Sequence, residues 1–483
     1  MSYFLGIDQG SHSSRAVLFD GNGGIVEQAS QKIMIDRPAT GQAEYGAGLL
    51  FNSVETVVKQ VLDALDRQDN AQVSACGIAT QRSTVLAWDV SGRALGPALS
   101  WQDVRAERMM AELQQHEREI RRLTGLPLTP YYSSSKMNWL LNQSERVKQC
   151  PREALRLSPL ISYLLFHLLD NKPYVIDYSN AQRTQLFDLD ALTWSERLCN
   201  WFDVDISLLP ECRPIRAAYG KLYGTDIPVT AVCGDQNAAM YGTGQLEQGM
   251  ALVNIGSGAF VLRELDHFSE SKTQLTGVAY ADNETVGYMR EATINGAGNA
   301  LSWAEKQWGV ENLIESLPDW MRTVKEPPVF INSVGGLGTP WMQGKLASAF
   351  VGNGTYTNAE KAVAIIESIV FMIQVNLELM AVEAPLKKLR VSGGLSKMDG
   401  LCQKLSDLSG YVVERSNVAE ASARGAAWLA AGRPHSWNSN RPDEPSSRQF
   451  VPQQANGLAS RYRLFNTELN RMLKANQQVR TVK

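Results

Sequence analysis

Short apolar runs and polar, glycine-containing turns alternate at the start of the chain. Residues 3–7, 15–19 and 25–28 predict three short strands joined by tight turns. Valine and leucine then recur at three- and four-residue spacing across residues 54–65, which predicts an amphipathic helix. Residues 75–80 form the next predicted strand, and strands alternate with helices from there on. This alternation predicts an α/β fold.

The second half of the chain repeats this plan of a strand followed by glycine. Residues 228–233, 250–255 and 389–392 are predicted strands, and each runs into a glycine-containing turn. Residues 359–380 are apolar nearly all round, which predicts a buried helix. Residues 433–455 are rich in Pro, Ser, Asn and Gln and predict a surface loop, followed by a short amphipathic helix that closes the chain.

Composition excludes several classes of function. The net charge of −3 and the pI of about 6.1 argue against nucleic acid or an anionic membrane as a partner, because both require a basic surface. The six cysteines form no CxxC pair, which indicates reduced thiols. The N-terminus lacks the pattern of a signal peptide, and the apolar stretch at residues 160–169 is too short to span a bilayer. We therefore predict a cytoplasmic protein.

Three turns have the composition that nucleotide phosphates require. Residues 7–15, 254–258 and 392–396 combine glycine, which lets backbone N–H groups turn inward, with serine hydroxyl donors. The first of these turns also carries Asp8 at a strand end, where a carboxylate can hold Mg²⁺ through water. One such turn alone is usually a plain hairpin, whereas three in this order favour a phosphate site. The chain has no GxxxxGK[ST] motif, so a P-loop kinase is excluded.

The arrangement resembles the actin–hexokinase–Hsp70 superfamily and, within it, the FGGY carbohydrate kinases. Residues 131–143, YYSSSKMNWLLNQ, match the first signature of that family at its constrained positions. Residues 177–187, DYSNAQRTQLF, are similar to a stretch of glycerol kinases, and the Gly234-Asp235-Gln236 segment follows in family order. The resemblance implies two actin/hexokinase-like (ribonuclease H-like) domains, at 1–243 and 244–483, with a catalytic cleft between them.

The same resemblance implies phosphorylation of a hydroxyl of a small polyol or sugar, with ATP and Mg²⁺. Asp235 is the implied general base, and Asp8 and Asp235 are the implied metal ligands. A helix N-cap is the structural alternative for Asp235, since Gly-Asp-Gln-Asn-Ala-Ala also suits that position.

The implied substrate contacts are Arg82, Ser83, Trp101, Tyr131, Asp235, Gln236 and Phe260. Trp101 would cover the carbon skeleton and Phe260 would close the pocket, although core packing is the alternative for the aromatic residues. Ser83 stands where glycerol kinases carry a glutamate. This exchange predicts a lower catalytic efficiency with glycerol and room for a longer polyol or a small sugar. The alternative is that Ser83 lies on the strand rim and a nearby group replaces the carboxylate.

The implied nucleotide contacts come from the three turns and their surroundings. They are Gly10, Ser11, Ser13, Arg15, Ser257, Gly258, Gly298, Ser302, Gly394, Leu395 and Met398. Leu395 and Met398 would lie beside the adenine, and Met398 replaces a customary asparagine, so one adenine hydrogen bond is expected to be absent.

Other functions stay open at this point. A kinase for a larger sugar, such as xylulose or another ketopentose, would differ only in the pocket. An actin- or Hsp70-like ATPase scaffold would share the phosphate turns but has no use for Arg82, Trp101 and Tyr131. A degenerate pseudokinase is disfavoured by the retained Asp8 and Asp235. A homodimer is left open as the assembly.

Overall fold

A computed structural model describes residues 2–65, 72–344, 346–416, 418–438, 448–454 and 457–481. The strands are β1 (Ser2–Gln9), β2 (Ser13–Phe19), β3 (Ile25–Lys32), β4 (Glu44–Tyr45), β5 (Gln72–Thr80), β6 (Val85–Asp89), β7 (Ala98–Leu99), β8 (Leu155–Pro159), β9 (Val175–Asp177), β10 (Phe187–Asp188), β11 (Thr193–Trp194), β12 (Glu211–Arg213), β13 (Arg216–Lys221), β14 (Pro228–Gly234), β15 (Met250–Ile255), β16 (Ala259–Leu265), β17 (Leu275–Ala281), β18 (Val286–Ile294), β19 (Phe330–Ile331), β20 (Ala349–Phe350), β21 (Lys388–Ser392), β22 (Val412–Arg415) and β23 (Arg448–Phe450). The helices are α1 (Ala47–Leu65), α2 (Met109–Leu113), α3 (Glu117–Thr124), α4 (Ser133–Gln143), α5 (Glu145–Lys148), α6 (Leu160–Leu168), α7 (Tyr178–Gln182), α8 (Glu196–Trp201), α9 (Asp235–Met240), α10 (Gly298–Trp308), α11 (Leu313–Thr323), α12 (Asn358–Glu383), α13 (Asp399–Ser409), α14 (Ala421–Ala430) and α15 (Leu458–Thr481).

The first half of the chain is built on a six-stranded sheet of order β13-β14-β5-β1-β2-β3. β1, β5 and β14 run parallel to one another, and β2 and β3 continue the sheet as antiparallel strands beside β1. The predicted strands at 3–7, 15–19, 25–28, 75–80 and 228–233 all belong to this sheet. Because β1, β5 and β14 are parallel neighbours, the residues that follow them meet at one edge of the sheet.

The second half repeats the plan in a seven-stranded sheet of order β17-β18-β16-β15-β21-β22-β23. β15, β21 and β22 run parallel, and antiparallel strands continue on the other side of β15. Two sheets of the same plan, each with helices against it, confirm the predicted α/β class. The domain boundary between residues 243 and 244 stays a prediction.

Helix α14 belongs to the second half in sequence but packs on the first sheet. A β-carbon at Gly6 of β1 would lie 2.1 Å from the carbonyl oxygen of Ala423, and one at Gly77 of β5 would lie 2.0 Å from that of Ala426. Glycine at these two positions therefore lets the helix backbone rest directly on the strands. This contact joins the second half of the chain to the strands that carry the candidate site.

Helix α12 is the predicted buried helix at 359–380, and it lies inside the core of the second half. It is long and apolar enough to cross a membrane by composition, but 83% of its most apolar 18-residue window is buried within the fold. A capping box of Thr357 and Glu360 begins it. Packing within the protein therefore accounts for its hydrophobicity.

Two expectations for the end of the chain need correction. The closing helix α15 has 24 residues and is therefore not short. The predicted loop at 433–455 falls partly outside the described residues, at 439–447 and 455. Within the described part, Trp437 is buried and its ring contacts Phe4 and Phe19, and β23 pairs with β22. A single tryptophan in a segment rich in Pro, Ser, Asn and Gln does not change its overall polar composition. Composition therefore predicted a surface loop and did not indicate that Trp437 is buried.

Candidate active site

Three polar side chains meet where adjacent parallel strands of the first sheet end. Asp8 lies near the end of β1, Arg82 follows β5, and Asp235 follows β14. The Nε atom of Arg82 is 3.6 Å from Oδ1 of Asp235. Ligands of open α/β sheets bind outside the carboxyl ends of parallel strands, and these residues occupy that position.

Asp8 is a buried carboxylate whose ionised form is destabilised by its surroundings. Its Oδ2 atom is 3.5 Å from Nη1 of Arg15, whereas Oδ1 has no hydrogen-bond partner among the described residues. Burial first, and then the negative charge of Asp235, raise the pKa of Asp8 to about 7, against the lowering effect of Arg15. A divalent cation bound by these carboxylates would stabilise their ionised forms, so the residues present fit Mg²⁺.

The protein alone supplies few metal ligands. No group of three or more His, Cys, Asp or Glu side chains suited to a metal occurs in the described part of the chain. A Mg²⁺ ion held by one or two carboxylates completes its coordination with water and substrate phosphates, which is its usual mode in phosphoryl-transfer sites.

Asp235 is the first residue of α9, whose N-cap is Gly234. The N-cap alternative for Asp235 is therefore wrong. Its Oδ1 atom accepts a hydrogen bond of 2.7 Å from the backbone N–H of Gln236. Burial raises the pKa of Asp235, and the guanidinium of Arg82 lowers it in part. The side chain keeps 27% exposure, so a substrate hydroxyl can reach it.

Two residues of the site, Glu291 and Arg183, were not predicted from the sequence. Glu291 of β18 accepts hydrogen bonds of 3.0 Å from both Nη atoms of Arg82, and Arg183 donates to the same carboxylate. Arg183 lies within segment 177–187, which is similar to a stretch of glycerol kinases, but that similarity implied no role for it. Glu291 is one acid in the middle of a strand, and no local pattern marks it.

Two of the aromatic residues predicted for the substrate pocket, Trp101 and Tyr131, are not core residues. Trp101 is 40% exposed and Tyr131 is 42% exposed, which does not fit the core-packing alternative. The indole N–H of Trp101 donates a 2.9 Å hydrogen bond to the hydroxyl of Ser11 in the first turn. Phe260 lies half-buried on β16 and packs against the hydrophobic core around β1, β5 and β14. Trp101 thus connects the substrate side with the first predicted phosphate turn.

Ser83 has an unusual backbone and an occupied hydroxyl. Its φ of 65° is rare for a residue with a side chain, and it is buried. Its hydroxyl donates a 3.0 Å hydrogen bond to the backbone oxygen of Arg183. The donor that a substrate hydroxyl would need is therefore already used. Gln236, in contrast, has a buried Oε1 with no partner among the described residues.

The second and third glycine turns lie side by side at the ends of parallel β15 and β21. The backbone N–H of Gly298 donates to the carbonyl of Gly256 at 3.0 Å, and the N–H of Asn299 donates to Ser257 at 2.8 Å. Gly393 has a φ of 87°, and a β-carbon there would lie 2.5 Å from Oδ1 of Asn254. The two turns and the start of α10 thus form one continuous glycine-rich surface.

The other predicted nucleotide residues are distributed around this surface. Gly394 faces open space among the described residues, Leu395 and Met398 lie in the core of the second half, and Ser302 is exposed on α10. In the first turn, the N–H of Gly10 donates to the carbonyl of Ser13 at 2.9 Å. Arg15 lies 3.2 Å from Glu420 and also contacts Asp8. A guanidinium carries five N–H donors, so these two contacts are compatible with the predicted phosphate contact.

Comparison with known proteins decides the family. The model of the N-terminal domain of the FGGY family of carbohydrate kinases matches residues 3–242, and the model of the C-terminal domain matches residues 251–432. The chain belongs to the FGGY family of carbohydrate kinases. It is therefore an ATP-dependent kinase with the two-domain, actin/hexokinase-like fold of that family, as the sequence predicted.

Individual relatives of this FGGY kinase are similar over most of its length. A glycerol kinase of Oceanobacillus iheyensis is 35% identical over 452 residues, which cover 89% of each chain. A glycerol kinase of Geobacillus is 32% identical and covers 94% of this chain and 95% of its own. Among solved structures, Plasmodium falciparum glycerol kinase with ADP superimposes with a TM-score of 0.87 at 24% identity, each chain covered to 98%. A ligand-bound xylulose kinase of Lactobacillus acidophilus gives 0.85 at 19% identity, also with 98% of each chain covered. These two structures support the fold.

Proposed function

We propose that this FGGY kinase transfers the γ-phosphoryl group of ATP to a terminal hydroxyl of a small polyol, with Asp235 as the general base. The observation that carries the proposal is the position of Asp235, 3.6 Å from Arg82 at the ends of adjacent parallel strands. The glycerol kinases at 32–35% identity support a polyol of this size as the substrate class.

The proposed reaction is a displacement at phosphorus. Asp235 accepts the proton of the substrate hydroxyl, and the hydroxyl oxygen forms a new bond to the γ-phosphorus of ATP. The bond between this phosphorus and the oxygen that bridges to the β-phosphate breaks, and ADP leaves with that oxygen. Because the transition state is loose, the carboxylate acts mainly by orienting the hydroxyl, and its pKa need not match that of an alcohol.

Asp8 and Asp235 are the residues that would hold Mg²⁺, which supplies charge neutralisation for the phosphates. Support comes from the buried, unpartnered Oδ1 of Asp8 and from the mutual repulsion of the two carboxylates. The three glycine turns would bind the phosphates and ribose through backbone N–H groups. Leu395 and Met398 would lie beside the adenine.

The substrate would lie between two exposed aromatic residues, Trp101 and Tyr131, and two charged residues, Arg82 and Asp235. Trp101 would cover its carbon skeleton, and Arg82, Tyr131 and Gln236 would bind its hydroxyls. Phe260 would close the pocket from the second half. The free Oε1 of Gln236 is a buried acceptor without a partner among the described residues, and a substrate hydroxyl would satisfy it.

Ser83 supports a second candidate, a substrate longer than glycerol such as a four- or five-carbon polyol or a ketopentose. Its hydroxyl is engaged by the backbone of Arg183, so position 83 offers a substrate no carboxylate and no free donor. Loss of a carboxylate acceptor weakens binding of a three-carbon triol and leaves space for more carbon atoms. The homodimer and the cytoplasmic location remain predictions.

The substrate class is tested by ADP release with Mg-ATP and a panel of glycerol, erythritol, xylitol and D-xylulose. Turnover of one of the polyols supports the proposal. If D-xylulose alone is phosphorylated, the ketopentose candidate replaces the polyol. If none of the panel stimulates ADP release, the proposed substrate class is wrong.

A further inference from the structure

Glu291 brings a buried negative charge from the second sheet to the candidate site on the first. Its side chain is only 1% exposed, and both of its oxygens accept hydrogen bonds from guanidinium groups. Burial alone would raise the pKa of Glu291, but the charges of Arg183 and Arg82 lower it below its ordinary value. The carboxylate is therefore ionised between two arginines.

This contact fixes the orientation of Arg82. Nη1 and Nη2 are each 3.0 Å from one oxygen of Glu291, so the planar guanidinium is held at two points. Its Nε is then left on the side of Asp235, at 3.6 Å. Rotation of the guanidinium would break at least one of the two bonds to Glu291.

Two further features hold Arg82 in the same place. A β-carbon at Gly234 would lie 2.5 Å from Cδ of Arg82, so only glycine lets the side chain cross the start of α9. Nη1 of Arg82 also donates to Oδ1 of Asn237 at 3.3 Å, and the Nδ2 of Asn237 donates to the carbonyl of Val278 on β17 at 2.6 Å. Glu291 and Asn237 thus both connect Arg82 to the second sheet.

Stability alone does not explain a buried cluster of this kind. A buried ion pair contributes little net stability, because desolvation offsets the attraction between the charges. In Arg183, moreover, the buried Nε has no partner among the described residues. The cluster lies beside the proposed base, Asp235. A guanidinium held in one orientation at this place can position the substrate hydroxyls for phosphoryl transfer.

We propose that Glu291 is a positioning residue for phosphoryl transfer: it holds Arg82 across the cleft, beside Asp235 and the substrate hydroxyls. Arg183 donates to the same carboxylate and, with Arg82, lowers its pKa. The inference rests on the function proposed above. It makes the substrate side of the first half dependent on a strand of the second half, so that Arg82 is correctly aligned only when the two halves are together.

The test is Glu291→Gln, which keeps the shape of the side chain and removes its charge. With Mg-ATP and the best of glycerol, erythritol, xylitol and D-xylulose, kcat/KM should fall roughly 10- to 100-fold, as expected for a misplaced binding group. The affinity for Mg-ADP, measured by calorimetry, should stay within about threefold, because the glycine turns are unchanged.

Glu383→Gln is the matched control. Glu383 binds Arg290, the residue next to Glu291 on β18, through bonds of 2.9 Å to Nε and 2.6 Å to Nη2. Its loss removes a similar arginine–carboxylate pair away from Arg82. This variant should keep kcat/KM within about threefold even if its melting temperature falls as far as that of Glu291→Gln.

A double-mutant cycle separates positioning from stability. If Glu291 acts through Arg82, adding Glu291→Gln to Arg82→Ala should change kcat/KM by less than about twofold. Independent, multiplying losses would overturn the inference. So would equal activity of Glu291→Gln and Glu383→Gln. If Glu291→Gln does not fold, Glu291→Asp is the substitute, and it should lose roughly tenfold because the shorter carboxylate displaces Arg82; an unchanged rate would overturn the inference.

The outcome is separable from that of the proposed function. If Asp235→Asn is inactive while Glu291→Gln is fully active, only the positioning role is wrong. If Asp235→Asn stays active, the proposed base is wrong, whatever Glu291→Gln shows.

Discussion

Gly77 of β5 lies directly against the backbone carbonyl of Ala426 in α14: a β-carbon at Gly77 would be 2.0 Å from that oxygen. Such a distance is not tolerated, and a backbone carbonyl cannot rotate away as a flexible side chain can. The contact brings the last part of the family fold onto the three parallel strands that end at the candidate site. Its integrity should therefore matter for stability and for the geometry of the site.

We predict that Gly77→Ala lowers the free energy of unfolding by about 3 kcal/mol, the upper part of the usual range for overpacking. Gly48→Ala is the control, because Gly48 lies in α1 and nothing in the described part of the structure comes within 4 Å of its added β-carbon. Alanine in a helix is favoured over glycine, so this variant should gain up to about 1 kcal/mol. Urea unfolding measures both, and equal stability of the two variants would show that α14 is not seated as described.

Substitution of Ser83 tests the size of the substrate. A carboxylate at this position restores charge-assisted acceptance of hydroxyl hydrogen bonds, each worth about 1.5–3 kcal/mol. Ser83→Glu should therefore raise kcat/KM for glycerol roughly ten- to a hundredfold and lower it for erythritol and xylitol.

Ser83→Ala is the control for this substitution. It removes the hydrogen bond to Arg183 without adding charge, so it should leave the preference among polyols unchanged and cost about 1 kcal/mol of stability. The idea fails if the wild type already phosphorylates glycerol with a kcat/KM in the ordinary range of about 10⁴–10⁸ M⁻¹s⁻¹ and Ser83→Glu gives no improvement.

The raised pKa of Asp8 predicts pH-dependent binding of Mg-ADP. At pH 6 the carboxyl is mostly protonated, since burial and Asp235 raise its pKa to about 7. A cation binds the ionised form, so protons compete with it, and affinity should rise with pH through 7 by up to about tenfold per unit before levelling near pH 8. Calorimetry at pH 6, 7 and 8 measures this, and Asp8→Asn should remove the dependence.

The raised pKa of Asp8 predicts the opposite pH dependence for stability, which should fall as the pH rises. A carboxyl whose pKa is raised in the folded state stabilises the fold while it is protonated, and this contribution is lost between pH 3.8 and about 7. Asp8→Asn should therefore gain stability relative to wild type from pH 5 to pH 8. In Asp205, hydrogen bonds led by that from Arg152 lower the pKa to about 2, so Asp205→Asn should show no such trend in this range. Identical trends for the two variants would contradict the assignment.

Local patterns were enough to predict the elements that carry the glycine turns. The predicted strand at 250–255 has the bounds of β15, and the buried helix at 359–380 lies within α12. Both are continuous, mostly apolar segments with clear limits, so the residues within each segment are enough to predict it. Asp8, Arg82 and Asp235 each lie at or just after the end of a predicted strand, but it was the family resemblance that implied their roles.

Contacts between distant segments could not be predicted in the same way. Glu291 acts on Arg82, which lies 209 positions earlier in the chain, and nothing near either residue indicates the pairing. The seat of α14 depends on glycines in β1 and β5 that look like ordinary strand residues in the sequence. Trp437 lies in a segment of loop-like composition, and one buried indole gives no periodic signal. These features depend on tertiary packing, which residue patterns do not contain.

The most direct test of the proposed mechanism is the rate of phosphoryl transfer by Asp235→Asn, measured as ADP release with saturating Mg-ATP and the best polyol of the panel. The amide keeps the size of the side chain but cannot accept the proton, so kcat should fall about 10²- to 10⁴-fold while Mg-ADP still binds. Asp226→Asn, at an exposed surface ion pair with Lys221, should retain full activity. A residual rate of Asp235→Asn within about tenfold of wild type would contradict the account.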